Sequence, residues 1–283
     1  MINPEIILKN DGCTIQEYDL INEIGTHFYH SAVINNQGIA ISAGYGSSIH
    51  DSRKIAFSEY LERKYIAELK STSYEKSSWG FDLISTGCGF AFGYEKNKTE
   101  LRSLSEAVER WVLSNCIDEK YKMEKVNYKN LNLGKITNWY LSQFEKVHFY
   151  FKEVLIHHQG SFIKFYALLC VAVSGKGVYQ GSSARMHFNE DLFLHAIIES
   201  FRHLLIVRNN KVINTFPENR IRFFANNADL ALDQINSAYK TEWPLPSLKF
   251  QKTQIMNENC FLARTILHGW SCWNTSDLNR FLY

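Results

Sequence analysis

The sequence has few of the features that mark secreted, membrane or zinc-finger proteins. Its six cysteines are scattered and form no C-x-x-C pair, so neither a zinc knuckle nor a disulfide framework is indicated. The opening MINPEIILKNDG lacks the basic and long apolar regions of a signal peptide. The longest apolar run, around FYALLCVAVSG, is far shorter than a membrane span. We therefore expect a reduced, soluble protein of the cytoplasm.

The sequence also lacks an excess of either charge. Thirty-one basic and 29 acidic side chains leave a net charge of only +2, which gives no reason to expect a nucleic-acid or membrane partner. Hydrophobic residues make up 45% of the chain and charged residues 21%, as in globular proteins with a substantial core. With only 4 prolines and no Ser- or Gly-rich linker, the 283 residues are predicted to form a single domain, 1–283.

Strands and helices alternate along the first two thirds of the chain. SAVINNQGIAISAG predicts two strands around an Asn-Gln-Gly turn, and FIKFYALLCVAVSGKGVYQG predicts two more around Gly-Lys-Gly. Apolar residues at helical spacing predict helices over DSRKIAFSEYLERKYIAELK and TELRSLSEAVERWVLSN. A third helix is predicted to begin near Asn189, a favourable N-cap residue.

The remainder, 211–283, has a weaker pattern. IRFFA and FLARTIL are predicted to be short strands, and a helix is predicted near ADLALDQINSAY.

A glycine-rich turn leading into a helix with E-x-x-E-R occurs twice. The two segments are GYGSSIHDSRKIAFSEYLER and GCGFAFGYEKNKTELRSLSEAVER. Gly46 precedes Glu59, and Gly93 precedes Glu106, by the same 13 residues. A third segment, GSSARMHFNEDLFLHAIIESFRH, repeats the pattern more loosely with Gly181 and Glu199.

These segments bring together the side chains that a magnesium nucleotide needs. Residues i and i+3 share a helix face, so each E-x-x-E presents two carboxylates to one side. Carboxylates of two such helices are hard ligands suited to Mg²⁺, which keeps nucleotide phosphates in its shell. The glycines would let backbone approach a ligand closely, and the arginines would neutralise carboxylates or hold phosphate oxygens. A single such motif is usually a solvated helix face, but two copies at equal spacing favour a site.

The three segments, in this order, resemble those of the YcaO-like family. The first resembles its G-x-G … A-x-x-E-x-x-E-R segment, the second its S-x-G-x-A-x-G … E-x-x-E-R segment, and the third its G-x-G-A-H … A-x-x-x-A-x-x-E segment. The resemblance covers about residues 40–210. It implies a mixed α/β fold in which mixed β-sheets pack with the helices that carry E-x-x-E-R.

The resemblance also implies a reaction, cofactors and partners. Family members use ATP and Mg²⁺ to phosphorylate the oxygen of a peptide amide that a nucleophile has attacked, and phosphate then leaves. The products are azolines, thioamides or amidines in ribosomal-peptide or protein modification. A precursor peptide or protein would be the substrate, a separate partner protein would present it, and the chain would form a homodimer.

Site residues carry over by position from the family segments. The magnesium-binding glutamates correspond to Glu59, Glu62, Glu106 and Glu109. The residues assigned to the nucleotide are Arg63, Arg110, Glu199 and Arg202. Near Glu199 the Gln and Arg of the family pattern are displaced in this sequence, which offers Arg202 and His203 instead. No catalytic residue is assigned.

Three positions depart from the family pattern. Ile55 replaces a usual Ser, Tyr94 a common Asn, and Lys98 an expected metal-binding Glu, for which Glu95 or Glu100 could substitute. No proline follows Pro246, whereas azoline-forming members commonly end in a proline-rich tail. A non-catalytic scaffold that binds a peptide or a catalytic homologue is therefore the alternative, and an unrelated nucleotide-binding transferase is a third interpretation.

Overall fold

The computed structural model describes residues 4–208, 215–257, 260–274 and 277–281. The chain forms two compact units whose segments alternate in sequence. Unit 1 comprises 1–83, 90–103 and 251–264, and unit 2 comprises 84–89, 104–250 and 265–283. The prediction of a single domain over 1–283 stays a prediction.

Unit 1 consists of short helices, one long helix and two groups of strands. Its elements are α1 (Pro4–Asn10), β1 (Thr14–Asp19), α2 (Ile21–Ile24), β2 (Tyr29–Ile34), β3 (Ala40–Gly46), α3 (Ile49–Leu69), α4 (Ser73–Ser78) and β4 (Phe90–Gly93). Strands β1, β2 and β3 pair antiparallel in that order. The predicted β2–β3 hairpin is confirmed, and the side chain of Asn35 accepts the N–H groups of Gln37 and Ile39 in its turn.

Helix α5 (Lys96–Ile117) begins in unit 1 and continues in unit 2. The later elements are β5 (Glu124–Val126), a 3₁₀ turn (Tyr128–Asn130), α6 (Lys135–Ser142), β6 (Lys146–His158), β7 (Ser161–Ser174), β8 (Gly177–Arg185), α7 (Glu190–Arg208), α8 (Phe216–Phe224) and α9 (Ala228–Asn236). Two last strands, β9 (Leu248–Asn257) and β10 (Cys260–Leu267), contribute residues to both units.

The described residues form two further sheets. β4, β10 and β9 form a three-stranded sheet, and β5, β6, β7 and β8 form an antiparallel four-stranded sheet. The predicted turn between β7 and β8 is confirmed, with Gly175 at φ 60°. Each unit has its own core: Phe57 and Leu61 of α3 are buried in unit 1, and Leu104, Val108 and Trp111 of α5 in unit 2.

The predicted third helix is confirmed as α7, which begins directly after Asn189. The carboxylate of Glu190 in its first turn accepts the Gly134 N–H at 2.8 Å and the Thr137 hydroxyl at 2.5 Å. The strand at FLARTIL and the helix at ADLALDQINSAY are also confirmed, as β10 and α9.

The prediction of a strand at IRFFA is wrong, because these residues lie in α8. Thr215 caps the helix by accepting the Glu218 N–H, and Pro217 occupies its first turn. Arg220 on the same helix is fully buried and donates to the backbone oxygens of Trp273 and Asp277. The capping signal and this long-range anchor outweigh the strand preference of Ile221 and the two phenylalanines.

The predicted mixed α/β class is confirmed. In the part of the chain that the structure describes, no helix has the length and apolar content to cross a bilayer.

Candidate functional site

In unit 1, helix α3 presents Glu59, Glu62 and Arg63. The Glu59 carboxylate accepts a hydrogen bond from the Arg63 guanidinium at 2.5 Å, and Arg63 also donates to the backbone oxygen of Ile41 at 2.6 Å. This ion pair is partly solvated, since the Arg63 side chain is 56% exposed. The first E-x-x-E-R therefore resembles, in part, the solvated ion-paired helix face that a lone motif usually forms.

In unit 2, two predicted glutamates from different helices meet at one strand residue. Glu109 of α5 accepts the Ser182 hydroxyl at 2.8 Å, and Glu199 of α7 accepts the Ser182 N–H at 3.1 Å. Ser182 lies on β8, directly after Gly181. The second and third motif segments, which are far apart in sequence, therefore share one location.

Three of the predicted glutamates are held by the same kind of contact. Each accepts a backbone N–H from a strand residue adjacent to a motif glycine. The pairs are Glu59 with Ala43 at 3.0 Å, Glu62 with Phe92 at 3.2 Å, and Glu199 with Ser182 at 3.1 Å. A backbone donor fixes the position of each carboxylate, as outer-shell donors do for ligating carboxylates.

The motif glycines allow a close approach of helix to strand. A Cβ at Gly44 would lie 2.2 Å from the Ser52 oxygen, and a Cβ at Gly181 would lie 1.9 Å from the Ala196 oxygen. Only glycine fits at such positions. The sequence suggested that these glycines let the backbone approach a ligand. In the structure, the side of each glycine where a Cβ would stand is instead packed against a helix of the same chain.

Glu109 and Arg110 form a largely buried charged pair. Their side chains are 12% and 18% exposed, and Arg110 Nη2 lies 3.6 Å from Glu109 Oε1. Burial raises the pKa of Glu109, and Glu199 adds to the rise, while Arg110 and the Ser182 hydroxyl oppose it. Burial alone would lower the pKa of Arg110, but Glu109 and Glu106 hold it above its ordinary value. Arg110 is therefore a permanent cation among glutamates.

His203 and Arg202 of α7 extend this cluster. Burial, together with the positive charges of Arg202 and Arg110, lowers the pKa of His203 to about 4, although a hydrogen bond to the Gln180 backbone opposes the shift. A histidine with this pKa is neutral at physiological pH. The cluster therefore carries its positive charge on arginines.

Sequence reasoning missed two residues at this location, Ser182 and Arg185. Arg185 is one of the groups that lower the pKa of Glu109. The only available signal was position, because both lie within GSSAR at the start of the third segment. Neither residue type is distinctive without the strand register that brings it to the glutamates.

The residues that depart from the family pattern all lie in unit 1. Lys98 donates to Glu95 at 2.7 Å and is 73% exposed, so Glu95, one of the two candidates to stand in for the missing metal-binding glutamate, is already paired with Lys98. Ile55 is 44% exposed on α3. The Lys54 ammonium lies over the Tyr94 ring, 5.7 Å from the ring centre.

The donor chemistry fits Mg²⁺ with a nucleotide. The predicted ligands are carboxylates, the oxygen donors that Mg²⁺ prefers, and backbone N–H groups orient three glutamates of the motifs. Within the ranges that the structure describes, no three His, Cys, Asp or Glu side chains are grouped to hold a metal ion. A magnesium site here would therefore take further ligands from phosphates and water, as Mg²⁺ commonly does. The assignment of individual ligands stays a prediction.

Comparison of the sequence with profiles of known families and with curated proteins finds no match. Comparison of the fold does. A chain of the Escherichia coli microcin synthetase McbBCD complex with pro-MccB17 bound has a TM-score of 0.61 and 10% identity, over 90% of this chain and 87% of that one.

Two other solved structures are similar over nearly the whole chain. YcaO from Methanopyrus kandleri, bound with AMPPCP and Mg²⁺, has a TM-score of 0.57 and 13% identity over 95% of this chain and 91% of that one. A heterocyclase in complex with substrate and cofactor has a TM-score of 0.56 and 11% identity, over 96% of this chain and 52% of that one. At these identities the likeness concerns the fold, and this chain has the YcaO-like fold that the resemblance of its three segments implied.

Proposed function

We propose that this chain takes part in the ATP- and Mg²⁺-dependent modification of peptide backbone amides, forming an azoline, a thioamide or an amidine. The observation that carries the proposal is the meeting of Glu109 and Glu199 at Ser182, beside Arg110, in a YcaO-like fold. In a surface helix these charges would be solvated, whereas here they are brought together and partly desolvated.

The reaction needs a leaving group, because an amide oxygen leaves poorly until it is phosphorylated. Magnesium-bound ATP supplies that phosphoryl group. Of this chain's residues, Glu59, Glu62, Glu106 and Glu109 would hold the magnesium ions. Arg110 and Arg63 would bind phosphate oxygens, and their charge would stabilise the transferring group. Glu199 and Arg202 would complete the nucleotide site.

The substrate in this proposal is a precursor peptide or a protein. It is supported by two similar folds: a microcin synthetase with pro-MccB17 bound and a heterocyclase with its substrate. A separate partner protein would present the substrate, and two copies of this chain would associate.

A second candidate, a non-catalytic scaffold of the same fold, is favoured by two contacts in unit 1. Arg63 occupies one oxygen of Glu59, and Lys98 stands as a cation where the family has a ligand. A cation at a ligand position repels the metal. Under this candidate the chain would bind a peptide or a catalytic homologue without binding Mg-ATP.

Calorimetric titration of Mg-ATP separates the two candidates. We expect binding that requires Mg²⁺ and is weakened at least about tenfold in Glu59→Ala and in Glu106→Ala, as for lost metal-site groups. Glu68→Ala, an exposed glutamate of the same helix as Glu59, is the matched control and should bind like the unaltered protein.

Absence of binding in a folded sample would contradict the enzymatic proposal and favour the scaffold. If Mg-ATP binds, mass spectrometry of the peptide with the partner protein identifies the product. Ring or amidine formation from an internal nucleophile removes one water, and thioamide formation replaces one oxygen by sulfur.

A further inference from the structure

A cleft of about 460 Å³ opens in unit 2 at a sheet edge, and none of the predicted site residues lines it. One wall is formed by Lys125 to Lys129 and the other by Glu145 to His148. The cleft exists because two neighbouring strands differ in length.

The strands that border the cleft leave part of one edge without a neighbour. β5 pairs with β6 only from Glu124 to Val126, opposite Phe149 to Phe151. Residues 146–148 of β6 continue to pair with β7 on the other side. After Val126 the chain turns into the 3₁₀ helix at Tyr128–Asn130. A strand directs the N–H and C=O of alternate residues to the same side, so at least one residue of 146–148 points these groups into the cleft.

The cleft is strongly positive. Lys125, Lys129 and Lys146 are all exposed and line it. None of the three takes part in an ion pair within the part of the chain that the structure describes. The only carboxylate of the lining is that of Glu145, which accepts the Gly175 N–H at 2.8 Å. Burial and the charges of Lys125 and Lys146 lower the pKa of half-buried His148, which also lines the cleft.

The cleft also has an apolar component. Buried Val147 and half-buried Val126 and Tyr128 all contribute to the lining. The cleft therefore combines an open strand edge, positive charge and an apolar surface. A ligand that matches these three properties carries backbone groups that can continue a sheet, negative charge and apolar side chains.

We propose that this cleft binds an extended acidic segment of a peptide, which pairs with the open edge of β6 as a strand that follows β5. Strand addition to an open edge gives affinity through main-chain hydrogen bonds, and alternate side chains give specificity. Here alternate acidic side chains face the three lysines, and alternate apolar side chains face Val126 and Val147. A polyanion without a peptide backbone satisfies only the charge. The proposal concerns binding alone and is independent of ATP turnover.

Fluorescence anisotropy with a labelled peptide of alternating glutamate and valine tests the proposal. We expect saturable binding that weakens as the salt concentration rises, because the lysine contacts are screened. A peptide with glutamine in place of glutamate, and one N-methylated at alternate residues, should both bind much more weakly. The first removes the charge and the second removes backbone donors.

The protein variants separate the cleft from general surface charge. Combined Lys125→Gln, Lys129→Gln and Lys146→Gln should weaken binding by about tenfold or more, the sum of several modest ion pairs. Combined Lys9→Gln, Lys76→Gln and Lys249→Gln removes the same charge from exposed lysines outside the lining and should leave binding unchanged.

Three results would overturn the proposal. One is equal binding to the two triple variants, and another is equal binding of the N-methylated peptide. The third is tighter binding of inorganic polyphosphate than of the acidic peptide at the same cleft, which would make it a general anion site. Circular dichroism of both variants establishes that each is folded.

Discussion

His203 is a half-buried histidine of α7 whose protonation is opposed by its surroundings. Its pKa is lowered to about 4 by burial and by the nearby charges of Arg202 and Arg110. In the unfolded chain the ring has an ordinary pKa of about 6.5. Between these two values the unfolded state binds a proton that the folded state does not. Stability is therefore greatest above the unfolded value and falls as the pH decreases towards about 4.

His203→Gln keeps a hydrogen-bond donor for the Gln180 backbone but cannot titrate. We expect urea unfolding of the unaltered protein to lose about 2 kcal/mol more than this variant between about pH 7 and about pH 5. His157→Gln, at an exposed position on β6, should keep the full pH dependence. Equal pH dependence in His203→Gln and the unaltered protein would show that the ring is not held neutral.

At the residue scale, the site residues that could be predicted were those that belong to a repeated local sequence pattern. The glutamates of the two E-x-x-E-R motifs recur at a fixed spacing from glycine, and helix geometry alone places each pair on one face. Ser182 could not be assigned, because its contact with Glu109 depends on how β8 lies against α5. That placement is a tertiary property with no local signal.

At the scale of elements, β8 and α7 pack closely against each other at Gly181. A Cβ at Gly181 would lie 1.9 Å from the Ala196 oxygen and 2.7 Å from the Ser200 nitrogen, both backbone atoms of α7. Backbone cannot move aside as a flexible side chain can. Any side chain at this position therefore has to separate the helix from the strand.

Gly181→Ala should lower the free energy of unfolding by about 3 kcal/mol, at the upper end for overpacked cores. The shift would also disturb the Ser182 N–H contact with Glu199. Gly175→Ala is the control, because its Cβ meets no atom within 4 Å and only its left-handed φ of 60° is unfavourable. We expect that control to lose about 1 kcal/mol. Urea unfolding that ranks the two variants equally would contradict the packing argument.

Element types followed from the sequence where amphipathic spacing and turn residues agreed. The hairpins at Asn35 and Gly175 and the helix after Asn189 are of this kind. The assignment at IRFFA was wrong because it weighed β-forming side chains above the Thr215 cap and Pro217 that precede them. The buried anchor of Arg220 on residues near the end of the chain was also beyond local reasoning.

At the scale of the whole molecule, the sequence resemblance ended near residue 210, but the structural similarity covers 90–96% of the chain. The C-terminal part, which lies beyond the sequence resemblance, contributes residues to both units. Residues 251–264 belong to unit 1, and 215–250 and 265–281 to unit 2. It therefore completes two structures that begin earlier in the chain.

In unit 1 this part provides β10, the strand that pairs with β4. Leu262 lies opposite Phe92 in the strand pairing, and the Phe92 N–H donates a hydrogen bond to the Glu62 carboxylate. In unit 2 it provides Arg280, which is buried and forms an ion pair with Asp118.

A chain that ends at Ser247 should therefore fail to fold in either unit. It would lose Leu262, Ile266 and Leu267, each at most 1% exposed. Burial of such side chains contributes roughly 1.5–3 kcal/mol each, so their loss alone removes roughly 5–9 kcal/mol. That loss is comparable to the whole net stability of a typical domain, about 5–15 kcal/mol. The expected result is the absence of a cooperative urea transition, whereas the full chain shows one. A cooperative transition in the truncated chain, with an unchanged midpoint by tryptophan fluorescence, would show that the first 247 residues fold without the C-terminal strands.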